Sequence, residues 1–132
     1  MKKGRRKIRA KVLQEMSFLE ALLRRCPQDI EILKALGDLY TKTSRYEAGL
    51  AIDLELSRLC PQEAVVWYNL ACSYARLASK DQALAALARA IDLGYRDHGW
   101  MRKDADLASL RADRRFMALL QRLISGKQVS PR

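Results

Sequence analysis

The side chains that could act as acids, bases or nucleophiles are few, and most lie in the last third of the sequence. The single histidine, His98, precedes Gly99, and three carboxylates follow at Asp104, Asp106 and Asp113. Acids at this spacing suit helix N-caps and the positive end of a helix dipole as well as proton transfer. The chain has no nucleophile elbow, phosphate loop, dinucleotide-binding glycine pattern or HExxH zinc motif. We therefore predict that the protein is not an enzyme and has no catalytic residue, with His98 at the surface and Asp104 and Asp113 as helix caps.

Cysteine chemistry has little support in the sequence. Cys26, Cys60 and Cys72 are odd in number, and none of them is part of a CxxC pair. Cysteines in such a pattern behave as small apolar residues of a reduced protein. We predict three reduced, buried thiols and no metal or cofactor. A disulfide or a metal role is the alternative.

Positive charge is concentrated at the start of the chain. The formal net charge is +10, and residues 1–11, the basic segment, contain no acid and seven cations: Lys2, Lys3, Arg5, Arg6, Lys7, Arg9 and Lys11. Three interpretations are open: a solvated helix start that aids solubility, a contact with nucleic-acid phosphates, or a contact with an anionic membrane surface or acidic partner. No aromatic residue lies among the cations, which disfavours stacking on single-stranded bases.

The basic segment does not begin an export signal. Arg9, Lys11, Gln14 and Glu15 interrupt the apolar residues that would have to follow it. No stretch approaches the roughly 18 apolar residues in a row that indicate a membrane-spanning helix. We therefore expect a cytoplasmic protein.

An internal repeat organises the elements that carry these residues. The tripeptide Cys-Pro-Gln occurs at 26–28 and at 60–62, a spacing of 34 residues. At the same spacing, residue size is kept at four pairs of positions: Leu33 and Trp67, Leu36 and Leu70, Gly37 and Ala71, and Tyr40 and Tyr74. Because proline cannot continue a helix, each tripeptide separates one repeat from the next.

Each repeat is predicted to contain two helices. Apolar residues at 66, 70, 74 and 77 step by four, four and three, which is helical periodicity. The sequence ASKDQ then interrupts the pattern, which resumes at 84, 87, 88 and 91, and TKTSR is the corresponding interruption in the first repeat. Small residues such as Gly49 and Ala83 lie where paired helices would approach most closely. The sequence therefore predicts an all-α chain of antiparallel helix pairs joined by short turns.

This pattern resembles the tetratricopeptide repeat, W-x2-L-G-x2-Y followed by A-x3-F, A and P over 34 residues. Residues 64–95 match it at seven positions: Trp67, Leu70, Ala71, Tyr74, Ala83, Leu87 and Ala90. Residues 30–61 match it less fully, since Asp53 stands where a large apolar residue is usual. The resemblance implies a short right-handed superhelical solenoid of about seven or eight helices.

The resemblance also divides the chain. The expected segments are the basic segment 1–11, a lone amphipathic helix at 5–29 that is the second half of a partial repeat, repeats at 30–61 and 62–95, a degenerate repeat with capping helices at 96–125, and a tail at 126–132. The segment that follows Gly94 resembles the ending of many bacterial tetratricopeptide proteins, G-[FY]-x-D … D-x-D-L-x-x-L-R-x-D-x-R-F.

The resemblance implies a concave groove lined by the first helix of each pair. The predicted contact set is mixed in charge, with one aromatic side chain: Lys34, Asp38, Tyr68, Asn69, Cys72, Arg76 and Lys103. Val65 lies on the same face. We predict a non-catalytic protein-interaction scaffold that binds a peptide or partner segment in this groove. The alternative is nucleic-acid or anionic-surface binding through the basic segment, with the repeats as a platform.

One chaperone-binding subgroup of the family holds a carboxylate with a clamp of Lys, Asn and Arg side chains. Lys34, Asn69 and Lys103 occupy matching positions, whereas Asp38 and Gly99 replace an expected Asn and Lys. The resemblance therefore supports a general groove rather than a working clamp.

The helix that precedes the first repeat lacks the other helix of its own pair. Part of its apolar face is expected to be exposed, with Met16, Phe18 and Leu23 as candidates. Exposed apolar surface invites a second chain. A homo-oligomer formed through this helix is therefore a further predicted assembly.

Overall fold

Helices and short turns make up the described part of the chain. The computed structural model describes the backbone of residues 2–126 and the side chains of residue 4 and residues 7–126. The helices in that range are α1 (Lys2–Arg25), α2 (Ile30–Lys42), α3 (Tyr46–Leu59), α4 (Ala64–Arg76), α5 (Lys80–Asp92), α6 (His98–Lys103), the 3₁₀ helix η1 (Ala105–Leu110) and α7 (Arg114–Ser125). Since these residues form no strand, the prediction of an all-α chain is confirmed over them. The predicted tail lies outside the described residues beyond Gly126.

The 34-residue spacing of the sequence recurs in the helix bounds. α2, α4 and α6 begin at residues 30, 64 and 98, and α3, α5 and α7 begin at 46, 80 and 114. α1 and α3 end at 25 and 59, which is the same spacing. The part of α1 from residue 12 onward therefore corresponds to α3, and its first ten residues extend the helix beyond that correspondence.

The turns within the first two helix pairs share one backbone geometry. Ser44 has a φ of 60° and Ala78 a φ of 62°, both in the left-handed region. In each turn the next N–H group donates to a tyrosine carbonyl, that of Tyr40 at 2.8 Å and that of Tyr74 at 2.9 Å. Because neither turn residue is glycine, its Cβ makes this conformation costly.

Two compact units divide the chain, Met1–Ile52 and Asp53–Arg132. In the first unit, α1 packs against α2. The Tyr40 hydroxyl donates a hydrogen bond to Glu20. Burial, followed by this hydrogen bond, raises the pKa of Tyr40 to about 12. The phenol therefore stays neutral and holds the two helices together as a donor.

The packing of α1 corrects one expectation about its apolar face. Met16 is only 3% exposed, because α1 packs against α2. Leu23 is half-buried, whereas Phe18 is 62% exposed. The prediction that Met16 is exposed is wrong, and Phe18 is the exposed member of the three.

In the second unit, α4 and α5 form the main helix pair. Ala71, Ala83 and Leu87 have no exposed surface. Two of the three are alanines, and their short side chains let the helix backbones approach closely. This agrees with the small residues expected at the crossing.

Ion pairs tie α7 to α5. Arg115 pairs with Asp81 at 2.8 Å, and Arg122 pairs with Asp92 at 3.0 Å. Phe116 supplies the buried apolar contact of α7. Because the four charged groups are largely exposed, the ion pairs orient the helix more than they stabilise it.

Asp104 interrupts the third helix of the α2, α4 series. α6 and η1 together occupy residues 98–110, which correspond to residues 64–76 of α4. Residue 104 corresponds to the buried Leu36 and Leu70. Its backbone is extended, and its carboxylate accepts the N–H of Asp106 at 2.9 Å as the N-cap of η1. The predicted caps Asp104 and Asp113 are both confirmed.

The cysteines differ in burial. Cys60 and Cys72 are buried as predicted, whereas Cys26 is exposed. It follows the last residue of α1, in the loop before α2, where no helix covers it. The prediction of burial is therefore wrong for Cys26.

Candidate binding surface on α4

One side of α4 is open at its start and covered at its end. Residues 65, 69, 72 and 76 are spaced by four, three and four and share this side. Val65 is 61% exposed, Asn69 is also exposed, and Cys72 is buried. η1 packs against α4 and covers the later residues. We call the exposed stretch at Val65 and Asn69 the open side of α4.

A buried polar cluster, Tyr68, Cys72 and Asp104, joins α4 to the start of η1. The Tyr68 hydroxyl donates to Asp104 Oδ2 at 2.6 Å, and the Cys72 thiol donates to the same oxygen at 3.8 Å. The other carboxylate oxygen accepts the N–H group of Asp106 in η1. Asp104 is only 4% exposed. These hydrogen bonds therefore replace the water that the carboxylate loses on burial.

Burial also sets the protonation of the cluster. The pKa of Tyr68 is raised first by desolvation and then by its hydrogen bond to Asp104. Desolvation and the charge of Asp104 likewise raise the pKa of the Cys72 thiol. Both groups stay protonated at neutral pH and act as donors. A thiol in this state is a poor nucleophile.

Tyr95 packs on the cluster from the loop between α5 and α6. The ring centroids of Tyr68 and Tyr95 are 4.4 Å apart, and the rings are inclined by 10°. A stacked pair at this distance fixes the orientation of both rings. The hydroxyl of Tyr68 is thereby held in position for Asp104.

Two further contacts fasten η1 to the end of α4. The Arg76 guanidinium donates to Asp106 Oδ1 at 2.7 Å. The Ser109 hydroxyl donates to the carbonyl oxygen of Ala75 at 3.0 Å. These contacts keep the end of α4 covered and leave its start accessible.

Cys72, Asp104 and Asp106 form the group of possible metal ligands found among the described residues. Their ligand atoms all lie within 4.8 Å of one another, and a thiolate with carboxylates can bind a divalent cation. Here the thiol is protonated, Asp104 accepts hydrogen bonds from Tyr68 and Cys72, and Arg76 pairs with Asp106. Protein donors already satisfy these atoms, and we assign no metal to them.

The predicted contact residues of the second unit are distributed over three environments. Asn69 and Lys103 are exposed. Tyr68 and Cys72 are buried in the polar cluster. Arg76 is exposed in part and ion-paired with η1. The structure thus brings Tyr68, Cys72 and Arg76 into contact with η1 or with the Asp104 that caps it.

The other two predicted contact residues belong to the first unit. Lys34 and Asp38 are exposed on α2. Asp38 pairs with Lys42 one turn further along, at 3.0 Å. At the 34-residue spacing, Lys34 and Asp38 correspond to Tyr68 and Cys72.

Sequence reasoning missed the second role of Asp104. It identified the residue as a helix cap but not as the acceptor for Tyr68. The available signal was its position, since residue 104 corresponds to two buried leucines. A carboxylate at a core position needs hydrogen-bond donors within reach. The tyrosine hydroxyl on α4 is such a donor.

The basic segment is helical and exposed where it is described. The backbone of residues 2–11 belongs to α1, and the side chains of Lys7, Arg9 and Lys11 are exposed. The side chains of Lys2, Lys3, Arg5 and Arg6 lie outside the described residues. Of the helices described, none combines the length and the apolar composition that crossing a bilayer requires.

Comparison with known proteins identifies the fold. The solved structure of MamA MSR-1 C2, a tetratricopeptide-repeat protein, matches with a TM-score of 0.70 at 17% sequence identity, over 89% of this chain and 70% of that one. The chain therefore has a tetratricopeptide-type fold of helical repeats.

A sequence relative matches over part of its length. This chloroplastic protein from Arabidopsis thaliana is 30% identical over 116 residues, which are 86% of this chain and 34% of that protein. The chain thus spans about a third of the length of this relative. No family model matches the sequence.

Proposed function

We propose that this chain is a non-catalytic protein-interaction module that binds an extended peptide or partner helix on the open side of α4. The observation that carries the proposal is the exposure of Val65 and Asn69 on a helix that Asp104 holds in place through Tyr68. The tetratricopeptide-type fold supports a protein partner in general.

The chemistry of this surface suits a peptide. Val65 offers an apolar contact, and the Asn69 amide offers both a donor and an acceptor for a peptide backbone. The exposed cations Arg102 and Lys103 directly precede Asp104, which contacts α4. We therefore expect a partner segment with one apolar anchor and a neighbouring acidic residue.

The remaining members of the proposed contact set have different roles. Lys34 and Asp38 would contact the partner on α2. Tyr68 and Cys72 would support the open side of α4 from beneath. Arg76 would act through its ion pair with Asp106 rather than through the partner.

A photo-crosslinking residue at position 69 tests the proposal. Nuclease-treated lysate is irradiated with this variant, and captured proteins are identified by mass spectrometry. The matched control carries the crosslinker at Gln82, which is also exposed but lies on α5. We expect a captured protein specific to position 69.

Affinity measurements with the purified partner then decide the question. Val65→Asp should weaken binding at least about tenfold, because a charge replaces the apolar contact. Gln82→Ala should leave affinity unchanged. A partner that binds Val65→Asp and Asn69→Ala as tightly as the unaltered chain would refute the proposed surface.

Self-association through α1 is a second proposal, supported by the exposure of Phe18. A phenylalanine exposed to this extent favours burial against another chain. Sedimentation at high protein concentration should show a dimer that Phe18→Ser abolishes. A monomer at every concentration would exclude this assembly.

We further propose a reducing compartment, with the cytoplasm as the expected one. The three cysteines form no disulfide within the described chain, and Cys26 is exposed. Exposed thiols persist where glutathione and thioredoxin keep them reduced. Fractionation of the native host with an antibody to the chain tests this, and recovery from an oxidising compartment would contradict it.

A further inference from the structure

The first ten residues of α1 form a feature that the repeats do not require. They precede residue 12, where the correspondence with α3 begins. Every described side chain from residue 4 to residue 11 is exposed, and Met16 is the first buried residue of the described chain. This part of the helix therefore contributes nothing visible to the core of the first unit.

We propose that residues 2–11 of α1 bind double-stranded DNA, with the basic helix in the major groove and its cations on the phosphates. The sequence of this stretch holds seven Lys and Arg residues and no acid. The positive end of the α1 dipole lies at the same place and adds to the attraction. The proposal rests on residues other than those of the open side of α4.

The cations lie around the helix rather than on one side of it. Successive residues of an α-helix are rotated by about 100°. Lys7 and Lys11 are therefore within about 40° of each other, and Arg9 lies about 200° from Lys7, on the opposite side. All three side chains are exposed.

This arrangement favours a groove over a flat surface. A membrane surface contacts one side of a helix, which must carry a continuous apolar face. Ile8 is the one large apolar residue among residues 2–11, and it is 66% exposed. Cations on opposite sides can instead meet the two phosphate strands that border a groove.

The dimensions select duplex DNA among the nucleic acids. The major groove of B-form DNA, about 12 Å wide, admits an α-helix, and ten residues span about 15 Å. The major groove of A-form RNA is deep and narrow. Single strands are bound with aromatic residues, and the sequence has none among residues 2–11.

Salt-dependent binding of the full chain tests the proposal. The probe is a fluorescein-labelled DNA duplex of mixed sequence, titrated by anisotropy at several salt concentrations. Each phosphate neutralised changes the slope of log K against log salt by about −0.9. We expect a slope between about −4 and −6, and similar affinity for duplexes of different sequence.

Neutralising variants identify the residues. The triple variant Lys7→Gln, Arg9→Gln, Lys11→Gln should reduce the slope by about 3. A matched variant, Arg24→Gln, Arg25→Gln, Arg114→Gln, removes as many exposed charges elsewhere and should keep the slope. Circular dichroism should show equal helix content, since all six side chains are exposed. Equal slopes for the two triple variants would overturn the proposal.

Two single variants separate a groove from a flat surface. Lys7→Gln and Arg9→Gln lie on opposite sides, and each should reduce the slope by about 1. An effect of only one of them would indicate a one-sided contact and overturn the groove. Tighter binding to phosphatidylserine vesicles or to polyglutamate than to the duplex would overturn the choice of DNA.

Discussion

A buried carboxylate in α3 is the main departure from the repeat pattern at the scale of single residues. Asp53 is 8% exposed and accepts a hydrogen bond from the Ser73 hydroxyl. Desolvation raises the pKa of Asp53 from 3.8 to about 6, although the Ser73 hydrogen bond lowers it. The sequence pattern places a large apolar residue here. The chain therefore carries a group that is most compatible with folding when it is protonated.

The pKa of Asp53 predicts a pH-dependent stability. Because the folded pKa lies above the unfolded one, the contribution of the protonated group is complete below about pH 4 and is lost as the pH rises through about 6. We expect Asp53→Asn to exceed the unaltered chain in free energy of unfolding by about 2–3 kcal/mol more at pH 8 than at pH 4. Urea unfolding at both pH values measures this difference.

The control for Asp53 is an exposed carboxylate. Asp38→Asn on α2 removes an equal charge at the surface, and we expect a change below about 0.5 kcal/mol at both pH values. A stability gap of Asp53→Asn that does not vary with pH would contradict the burial argument.

The left-handed turn residues give a second prediction at this scale. Ala78 has a φ of 62°, which glycine adopts without the Cβ clash. We expect Ala78→Gly to stabilise the chain by about 0.5–1 kcal/mol in urea unfolding, because relief of the clash exceeds the added chain entropy. Ala85→Gly, an exposed position within α5, should instead cost about 1 kcal/mol. The same sign for both variants would rule out turn strain.

At the scale of elements, one residue separates α6 from η1. Asp104 holds a position that leucine holds in α2 and α4, and its carboxylate caps η1 while it accepts the Tyr68 hydroxyl. A residue that satisfies its charge in this way favours the extended backbone at 104 over a continuous helix. The helix break and the polar cluster thus have a common cause.

Replacing both members of that contact tests this account. In Asp104→Leu with Tyr68→Phe, neither partner is left unsatisfied, and the leucine matches the other repeats. We expect residues 98–110 to form one continuous α-helix. Backbone chemical shifts measured by NMR report it directly. Asp104→Asn with Tyr68 retained keeps the cap and should keep the break, and a break that persists in the double variant would show that other residues cause it.

The helices were more predictable from the sequence than their contacts. The 34-residue spacing and the apolar periodicity lie within single segments, so α4 and α5 could be located before their packing was known. The burial of Met16 depends on α2, and that of Tyr68 depends on Asp104, which lies 36 residues away. Helical periodicity carries no information about such partners. The exposed Asn69 followed from its position on the helix face alone.

At the scale of the whole molecule, charge and stability are carried by different parts of the chain. Removing residues 1–11 lowers the formal net charge from +10 to +3. Since the described side chains there are exposed, we expect the deletion to change the free energy of unfolding by less than about 0.5 kcal/mol. Urea unfolding of the shortened chain provides the measurement.

A slightly longer deletion is the control. Removing residues 1–16 also removes the buried Met16, which should cost about 2–5 kcal/mol. If the shorter deletion were as costly as the longer one, the basic segment would have to contribute to the core.

The common phase of the helix starts makes the chain extensible. A cassette of 34 residues, spliced between Pro61 and Gln62, would leave each later helix facing the same way as before. A cassette of 33 would rotate every later helix by about 100° about its axis. Lengthening such a chain by whole cassettes adds binding faces without redesigning the helices already present. A protein of this kind can therefore acquire a longer recognition surface by duplication alone.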